Sequence, residues 1–394
     1  MKKVWKILSY VLVAALASVI TLATVAMNAP GVKTIIEKGM LSGVSKLDQL
    51  EALIEEQFIG EVEKTAIEDA AASAMVQALG DRWSYYIPAE DYQAYTDQMA
   101  NAYVGIGITI QVDDKGLLVT QVNSNGPAFE AGILAGDLLV AVNGQSVRGM
   151  DVNAAASLVR GDEGTFVDIT AERKGEEITF HVERRRMKVD VAKAQMLEHD
   201  IGLVTIFNFD SRCAEETIAA IESLLSQGAK YLIFDVRNNP GGYADELVKV
   251  LDHILPEGDL FRTVDYTGTE RVDRSDAACL EGIPMAVLVN GNSYSAAEFF
   301  AAALREYDVA VVVGQPTVGK SYFQVTYQLK DGSAVGLSIG KYYTPKGVSL
   351  AEVGGLVPDL VVEVEGETFI AIQAGTLEPD RDPQIQAAVE ALMK

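Results

Sequence analysis

The 394-residue sequence predicts a multidomain α/β protein. Three observations carry that prediction. From about residue 201, short apolar runs alternate with helical patterns, as in a layered core with largely parallel strands. Between residues 103 and 182 the pattern is short strands broken by glycine and proline turns. At the front, lysines precede a long uncharged span, which adds a membrane helix to the architecture.

The elements follow in order. Lys2, Lys3 and Lys6 are followed by 26 uncharged residues, Ile7 to Val32. At about 1.5 Å per residue such a span crosses a hydrocarbon layer of about 30 Å. A basic flank before an apolar span reads as a signal peptide or a signal anchor. The small residues from Ala23 to Ala29 would permit cleavage and secretion, but the span is long for a signal, so an anchor over residues 1–32 is favoured. The body of the protein is then expected outside the cytoplasm, held to the cell membrane by a single pass. Residues 33–100 read as helical: Lys46-Leu-Asp-Gln-Leu-Glu-Ala-Leu-Ile and Ala66 to Leu79 have apolar positions at helical spacing. No catalytic cluster occurs there, and the region reads as a packing or oligomerisation arm.

In residues 101–186, Gly105-Ile-Gly-Ile-Thr-Ile leads a strand and Pro127 starts a short helix. Asp137-Leu-Leu-Val-Ala-Val runs into the hairpin signal Asn143-Gly144. Asp151 is placed to cap a helix from Val152 to Val159. Thr165–Thr170 and Glu177–Val182 close the segment as strands. Arg160, at the end of the capped helix, is a candidate contact to the next domain. In residues 187–394, strands are predicted at 202–207, 231–236, 285–290 and 309–314. Helices are predicted at 213–225, 243–254 and 296–306.

Composition narrows the function. Asp plus Glu is 56 against 32 Lys plus Arg, a net charge of −24, so no basic surplus exists to neutralise the phosphates of a nucleic acid. His181, His199 and His253 are scattered and lack HExxH spacing. No metal or other cofactor is expected. Cys213 and Cys279 form no CxxC and read as packed thiols or one bridge.

In parallel α/β sheets, functional groups gather beyond the carboxyl ends of strands. Three segments lie at such ends: Arg237-Asn-Asn-Pro-Gly-Gly, Gly291-Asn-Ser-Tyr-Ser and Gln315-Pro-Thr-Val-Gly-Lys. The helix after Ser295 travels about 17 Å away and the next strand returns about 20 Å, so Ser295 and Lys320 share one end of the sheet. A serine hydroxyl needs a base, and no histidine stands at these ends. A lysine serves when burial lowers its pKa far enough to leave the amine neutral. Gln324 is a candidate to orient that amine, although on a regular strand it would sit about 13 Å from Lys320. The N–H of Ala296 at the helix start and a freed backbone N–H at Gly241, with Gly242 as alternative, suit an oxyanion. Ser293 is the rival nucleophile. Ser295-Ala-Ala-Glu298 also fits a capping box, a purely structural helix start.

Two resemblances join these readings. The order GIGI, GPAFEAGI, GDLLVAVNG and a capped helix resembles a PDZ domain. That resemblance implies that Gly105, Ile106, Gly107 and Ile108 form the loop whose N–H groups receive a peptide's terminal carboxylate, with the next strand pairing to the peptide. Gly202-Leu-Val-Thr-Ile-Phe, Asp235-Val-Arg-Asn-Asn-Pro-Gly-Gly, Ser293-Tyr-Ser-Ala-Ala-Glu, Gly319-Lys and Leu356-Val-Pro-Asp resemble the carboxy-terminal processing peptidases, the tail-specific Ser–Lys serine proteases. The resemblance covers nearly the whole chain, including Leu79-Gly-Asp-Arg-Trp-Ser-Tyr-Tyr. It implies a PDZ domain on a crotonase-like protease core, a nucleophile at Ser295, a base at Lys320 and a supporting amide at Gln324. The expected activity is cleavage of proteins near exposed C-terminal tails, without metal or nucleotide. A catalytically inactive PDZ scaffold that only holds tails is the alternative. A His-Asp-Ser PDZ protease lacks its GNSGGP-like loop here, and an acyl-CoA enzyme is disfavoured by the PDZ and the export signal.

Overall fold

The computed structural model describes residues 45–113, 115–276, 280 and 282–394. The predicted anchor, residues 1–32, lies outside them, as does Cys279. Among the described residues no helix is long and apolar enough to cross a membrane. The chain divides into two compact units, residues 1–72 and 73–394. In the first, the helix Lys46–Gln57 begins with a capping box. Ser45 Oγ accepts from the Asp48 N–H at 3.1 Å, and Asp48 accepts from the Ser45 N–H at 2.9 Å. Leu47, Leu50 and Leu53 of its apolar stripe remain exposed. The unit boundary falls inside the next helix, Lys64–Gln77.

The second unit contains the PDZ-like segment. Its antiparallel sheet runs in the order Ile108–Asp113, Gly116–Val122, Leu138–Val142, Phe166–Arg173, Glu176–Glu183. Gln145–Ser146 folds back on Leu138–Val142 through Asn143-Gly144, both with positive φ as the predicted turn requires. Asp151 caps the helix Val152–Val159, accepting from the Asn153 and Ala154 N–H groups. Alternate residues Val167, Ile169 and Ala171 turn inward onto Leu117, Leu139 and Ala155. The two chain crossings that enter and leave this segment, Ala102–Gly105 and Arg185–Lys188, pair with each other as an antiparallel ladder.

The remainder is built on a sheet in the order Ala192–Met196, Ile201–Ile206, Tyr231–Asp235, Met285–Val289, Ala310–Gly314, Leu360–Val361. All its pairings are parallel except the first. The strands read as continuous apolar runs because both faces are covered. Leu232 and Phe234 pack under the helices Cys213–Ser226, Ala244–Ile254 and Ala296–Glu306. Ile233 points the other way, onto Ile385 and Ala388 of the helix Pro383–Leu392. The predicted strand and helix positions of this core agree with the observed ones to within one or two residues.

The structure corrects the reading elsewhere. Residues 33–100 are not wholly helical: Tyr85–Ile87 is a strand that pairs with Ala334–Tyr343. It joins a second, antiparallel sheet that includes Gly258–Asp265, Glu270–Ser275 and Tyr322–Gln328. An aromatic cluster of Phe261, Phe299, Phe323 and Tyr342 packs that sheet on the helix beginning at Ala296. This joint sets the strand that follows Lys320 against the helix that follows Ser295.

Candidate active site

The three predicted strand ends meet; two buried asparagines tie the first two together, and Glu298 ties in the third. Asn239 donates from Nδ2 to the Ile206 carbonyl at 2.8 Å, accepts from the Gly241 N–H at 2.8 Å, and its carbonyl accepts from the Tyr294 N–H at 3.1 Å. Asn290 accepts from the Asn238 and Asn292 N–H groups, both at 3.0 Å. Gly241 stands directly against Ser295: a side-chain carbon there would lie 2.7 Å from Ser295 Cβ and 2.9 Å from the Ala296 nitrogen. Only glycine, here at φ +90°, permits that approach.

Ser295 begins the helix Ala296–Glu306 with φ 57° and ψ −128°. A non-glycine residue holds such a conformation only when its surroundings impose it, at a cost of about 1–3 kcal/mol. The surroundings here centre on Glu298, a fully buried carboxylate. Its Oε2 accepts from the Ser295 N–H at 3.0 Å and from the Lys320 N–H at 2.8 Å. Its Oε1 accepts from the Gly319 N–H at 2.7 Å and from the Thr317 hydroxyl. One oxygen therefore fixes the backbones of both predicted dyad residues. Burial pushes the Glu298 carboxyl upward, against these bonds.

Lys320 reaches back under a roof that precedes the PDZ-like segment. Its Nζ lies 4.6 Å from the centre of the Trp83 ring and 5.9 Å from that of Tyr294, and the two rings stack at 5.9 Å. Burial, with help from the nearby Arg82 charge, lowers the ammonium pKa to about 8 against the pull of Asp81 and Glu298. Ser295 and Lys320 open on one cavity of about 1800 Å³, whose wall also includes Gly241, Gln324 and Arg160. No hydrogen bond joins the serine hydroxyl to the amine in this structure.

The other predicted residues are placed as follows. Gln324 follows a β-bulge; its Nε2 donates to Ser338 Oγ at 2.8 Å and to the Tyr322 carbonyl at 3.2 Å, and no hydrogen bond links it to Lys320. The Gly241 N–H is engaged with Asn239, while the Gly242 N–H enters none of these bonds. Ser293 is fully buried, its hydroxyl donating to the Val236 carbonyl at 2.7 Å and accepting from the Asn290 N–H at 3.0 Å. It takes no part in the cavity wall. In the PDZ-like segment, Gly105 ends one strand and Ile108 begins the next. Ile106 is buried, and Gly107 turns with φ +80°. The carbonyls of Ile106 and Gly107 accept from the Ala128 and Asn123 N–H groups, both at 2.9 Å. Cys213 is a buried free thiol, its pKa pushed up to about 12 by burial.

Sequence reasoning missed Trp83, because its role depends on a contact 237 positions away, and saw Glu298 only as a capping residue. Arg237 reads from the sequence as a partner for Asp235 or a brace for the turn rather than a substrate contact, and it pairs with Asp235. That guanidinium is buried between Asp235 at 2.6 Å and Asp382 at 2.7 Å, and it fixes the turn at Asn238 to the last helix.

Comparison with known proteins gives this geometry a lineage. Residues 200–362 match Peptidase family S41 and residues 118–173 match the PDZ domain family. The chain is 32% identical over 316 residues to the carboxy-terminal processing protease CtpA of Bacillus subtilis (strain 168), covering 79% of this chain and 68% of that protein. It is 30% identical over 325 residues to a "Probable CtpA-like serine protease" of Staphylococcus aureus (strain COL), covering 82% of this chain and 65% of that one. The chain thus spans about two thirds of the length of these relatives. A solved Bacteroides fragilis structure described as an S41 protease shares the fold, with a TM-score of 0.52 at 14% identity over 82% of this chain and 90% of that one. On the match to CtpA, the chain belongs to peptidase family S41, among the carboxy-terminal processing serine proteases.

Proposed function

We propose that the chain is a membrane-anchored, extracytoplasmic endopeptidase that cleaves proteins near their C-termini with a Ser295–Lys320 dyad. The single observation that carries this reading is the sharing of Glu298 Oε2 by the backbones of Ser295 and Lys320, with both side chains opening on one cavity. Residues 1–32 serve as the anchor, and the helices Lys46–Gln57 and Lys64–Gln77 as an arm that can support a homo-oligomer. Residues 101–186 form the PDZ domain and 187–394 the protease core.

In the reaction, neutral Lys320 takes the proton of the Ser295 hydroxyl as its oxygen attacks the substrate carbonyl. The oxyanion is received by the Ala296 N–H at the positive end of the helix, joined by the Gly241 N–H once it leaves Asn239, or by Gly242. The lysine ammonium then protonates the leaving amine, and water releases the acyl group by the reverse path. The hydroxyl and amine lack a mutual hydrogen bond here, and such contacts commonly tighten only when substrate arrives. Gln324 acts on Lys320 through the cavity wall rather than by a bond in the free site. The PDZ loop Gly105–Ile108 selects an exposed, nonpolar C-terminal tail and delivers it to the cavity, which Arg160 of the same domain also reaches.

The test is cleavage of an unfolded protein substrate. The intact chain is expected to cut it, and Ser295→Ala and Lys320→Ala to slow it by at least about 1000-fold, since residues of one catalytic unit fail together. Equal rates in all three proteins would remove the dyad; no cleavage in any would leave the tail-holding scaffold.

A further inference from the structure

The mechanism above leaves two buried acids of the cavity wall unused, and one of them is unpaired. Asp210 is 5% exposed and lines the cavity that holds Ser295 and Lys320. Its Oδ1 has no hydrogen-bond partner. Asp97, another buried acid of the same wall, binds Arg186 at 2.6 Å and Gln93 at 2.9 Å. Among the described residues no cation stands by Asp210 in that way, and burial alone pushes its carboxyl up to about 7.

The backbone holds Asp210 firmly beside the reacting centre. Its N–H donates to Asn208 Oδ1 at 3.0 Å, and its carbonyl accepts from the Cys213 N–H at 3.1 Å. The preceding residue is bonded twice to the glycine turn: the Phe209 N–H donates to the Gly241 carbonyl, and the Tyr243 N–H to the Phe209 carbonyl, both at 2.7 Å. A side-chain carbon on Gly242 would lie 2.6 Å from the Asp210 nitrogen, and one on Gly241 lies 2.7 Å from Ser295 Cβ. Those two contacts and one Cα–Cα step of about 3.8 Å place Asp210 within about 12 Å of Ser295. After burial, the charge of Asp210 is the next cause of the raised phenol pKa values of Tyr243 and Tyr294, both in the same wall.

A buried carboxylate without a partner is costly, and an arriving cation removes that cost. We infer that Asp210 forms a subsite for a basic side chain, a substrate lysine or arginine within two residues of the scissile bond, whose cationic end pairs with the Asp210 carboxylate. The stem of that side chain would run along Tyr243 and Tyr294. The inference rests on Ser295 as nucleophile, which fixes where the scissile bond lies, but binding alone can test it.

Fluorescent apolar peptides carrying one lysine, walked through successive positions, are titrated by anisotropy onto the intact Ser295→Ala chain, with norleucine as the neutral counterpart. At one or two adjacent positions, lysine is expected to bind at least about tenfold tighter than norleucine. Adding Asp210→Ser or Asp210→Asn is expected to bring the ratio close to one. Asp210→Asn preserves shape, and thermal melting of each variant separates loss of the charge from loss of the fold. The proposal is overturned if no position prefers lysine, or if the preference survives in a folded Asp210→Asn chain. Cleavage of the same peptides is run in parallel: cutting that persists in Ser295→Ala would sink the nucleophile while leaving the lysine preference to stand or fall by itself.

Discussion

A lysine placed against Trp83 and away from water gives up its proton more readily than one on the surface. With a pKa of about 8 for Lys320, roughly a tenth of the amine is neutral at pH 7 and nine tenths at pH 9. The acid limb of kcat/KM is therefore expected near pH 8, with about a tenfold rise from pH 7 to pH 9. A flat profile over that range would remove Lys320 as the base. The same shift bears on stability. In the unfolded chain the amine titrates near 10.4. Below about pH 8 both states hold the proton and the folded one carries the cost of burying it, up to about 3 kcal/mol. Between about 8 and 10.4 the folded state has already released the proton, so stability rises with pH through that window. Lys320→Met is expected to raise stability at pH 7 by about 1–3 kcal/mol while abolishing turnover, checked by denaturant unfolding. The meeting of Ser295 and Lys320 on one cavity was legible in the sequence because each ends a glycine-bearing turn at a strand end. Trp83 and Asp210 were not, because what matters about them is burial against residues distant in the chain, which no local pattern records.

Two short segments, Ser293–Glu298 and Thr317–Lys320, hold each other through the Glu298 carboxylate. Glu298→Gln keeps the shape but replaces one acceptor oxygen with a donor, so at least one N–H or the Thr317 hydroxyl loses its partner. A loss of about 1–3 kcal/mol in stability is expected. The activity loss should fall on kcat rather than KM, because the reacting groups shift while the rest of the cavity persists. The strand end at Asp235 is held in the same manner to the last helix. Arg237→Ala would leave Asp235 and Asp382 facing each other without their shared cation, and a drop of about 3–5 kcal/mol is expected in denaturant unfolding. The parallel strands were legible as unbroken apolar runs, and their helices as apolar stripes. The antiparallel sheet was not. Strands such as Glu270–Ser275 are half solvated and charged, and Tyr85–Ile87 is three residues long with its partner about 250 positions later. The helix Pro383–Leu392 was also passed over, although Asp382 before Pro383 is a helix-start signal.

Across the whole molecule the charge of −24 acts on every approaching tail. Substrates with acidic tails are expected to be cleaved severalfold more slowly than neutral ones at about 0.01 M ionic strength, and the gap should narrow at 0.15 M as the Debye length falls from about 30 to 8 Å. A ratio independent of salt would show that the field of the body does not reach the tail. In the PDZ segment the hairpin at Asn143-Gly144 and the helix starts at Pro127 and Asp151 were legible, whereas the strand Gly116–Val122 went unread. The packing of residues 81–87 onto the protease core was not legible, since nothing in their local pattern distinguishes a roof from an arm. The most direct measurement of the central claim is covalent labelling of the intact chain by a serine-directed fluorophosphonate, read by peptide mass mapping across pH 6 to 10. The account predicts modification at Ser295, rising about tenfold between pH 7 and 9 and lost in Lys320→Ala. Equal labelling of Ser295 in Lys320→Ala, or modification of Ser293 in its place, would contradict it.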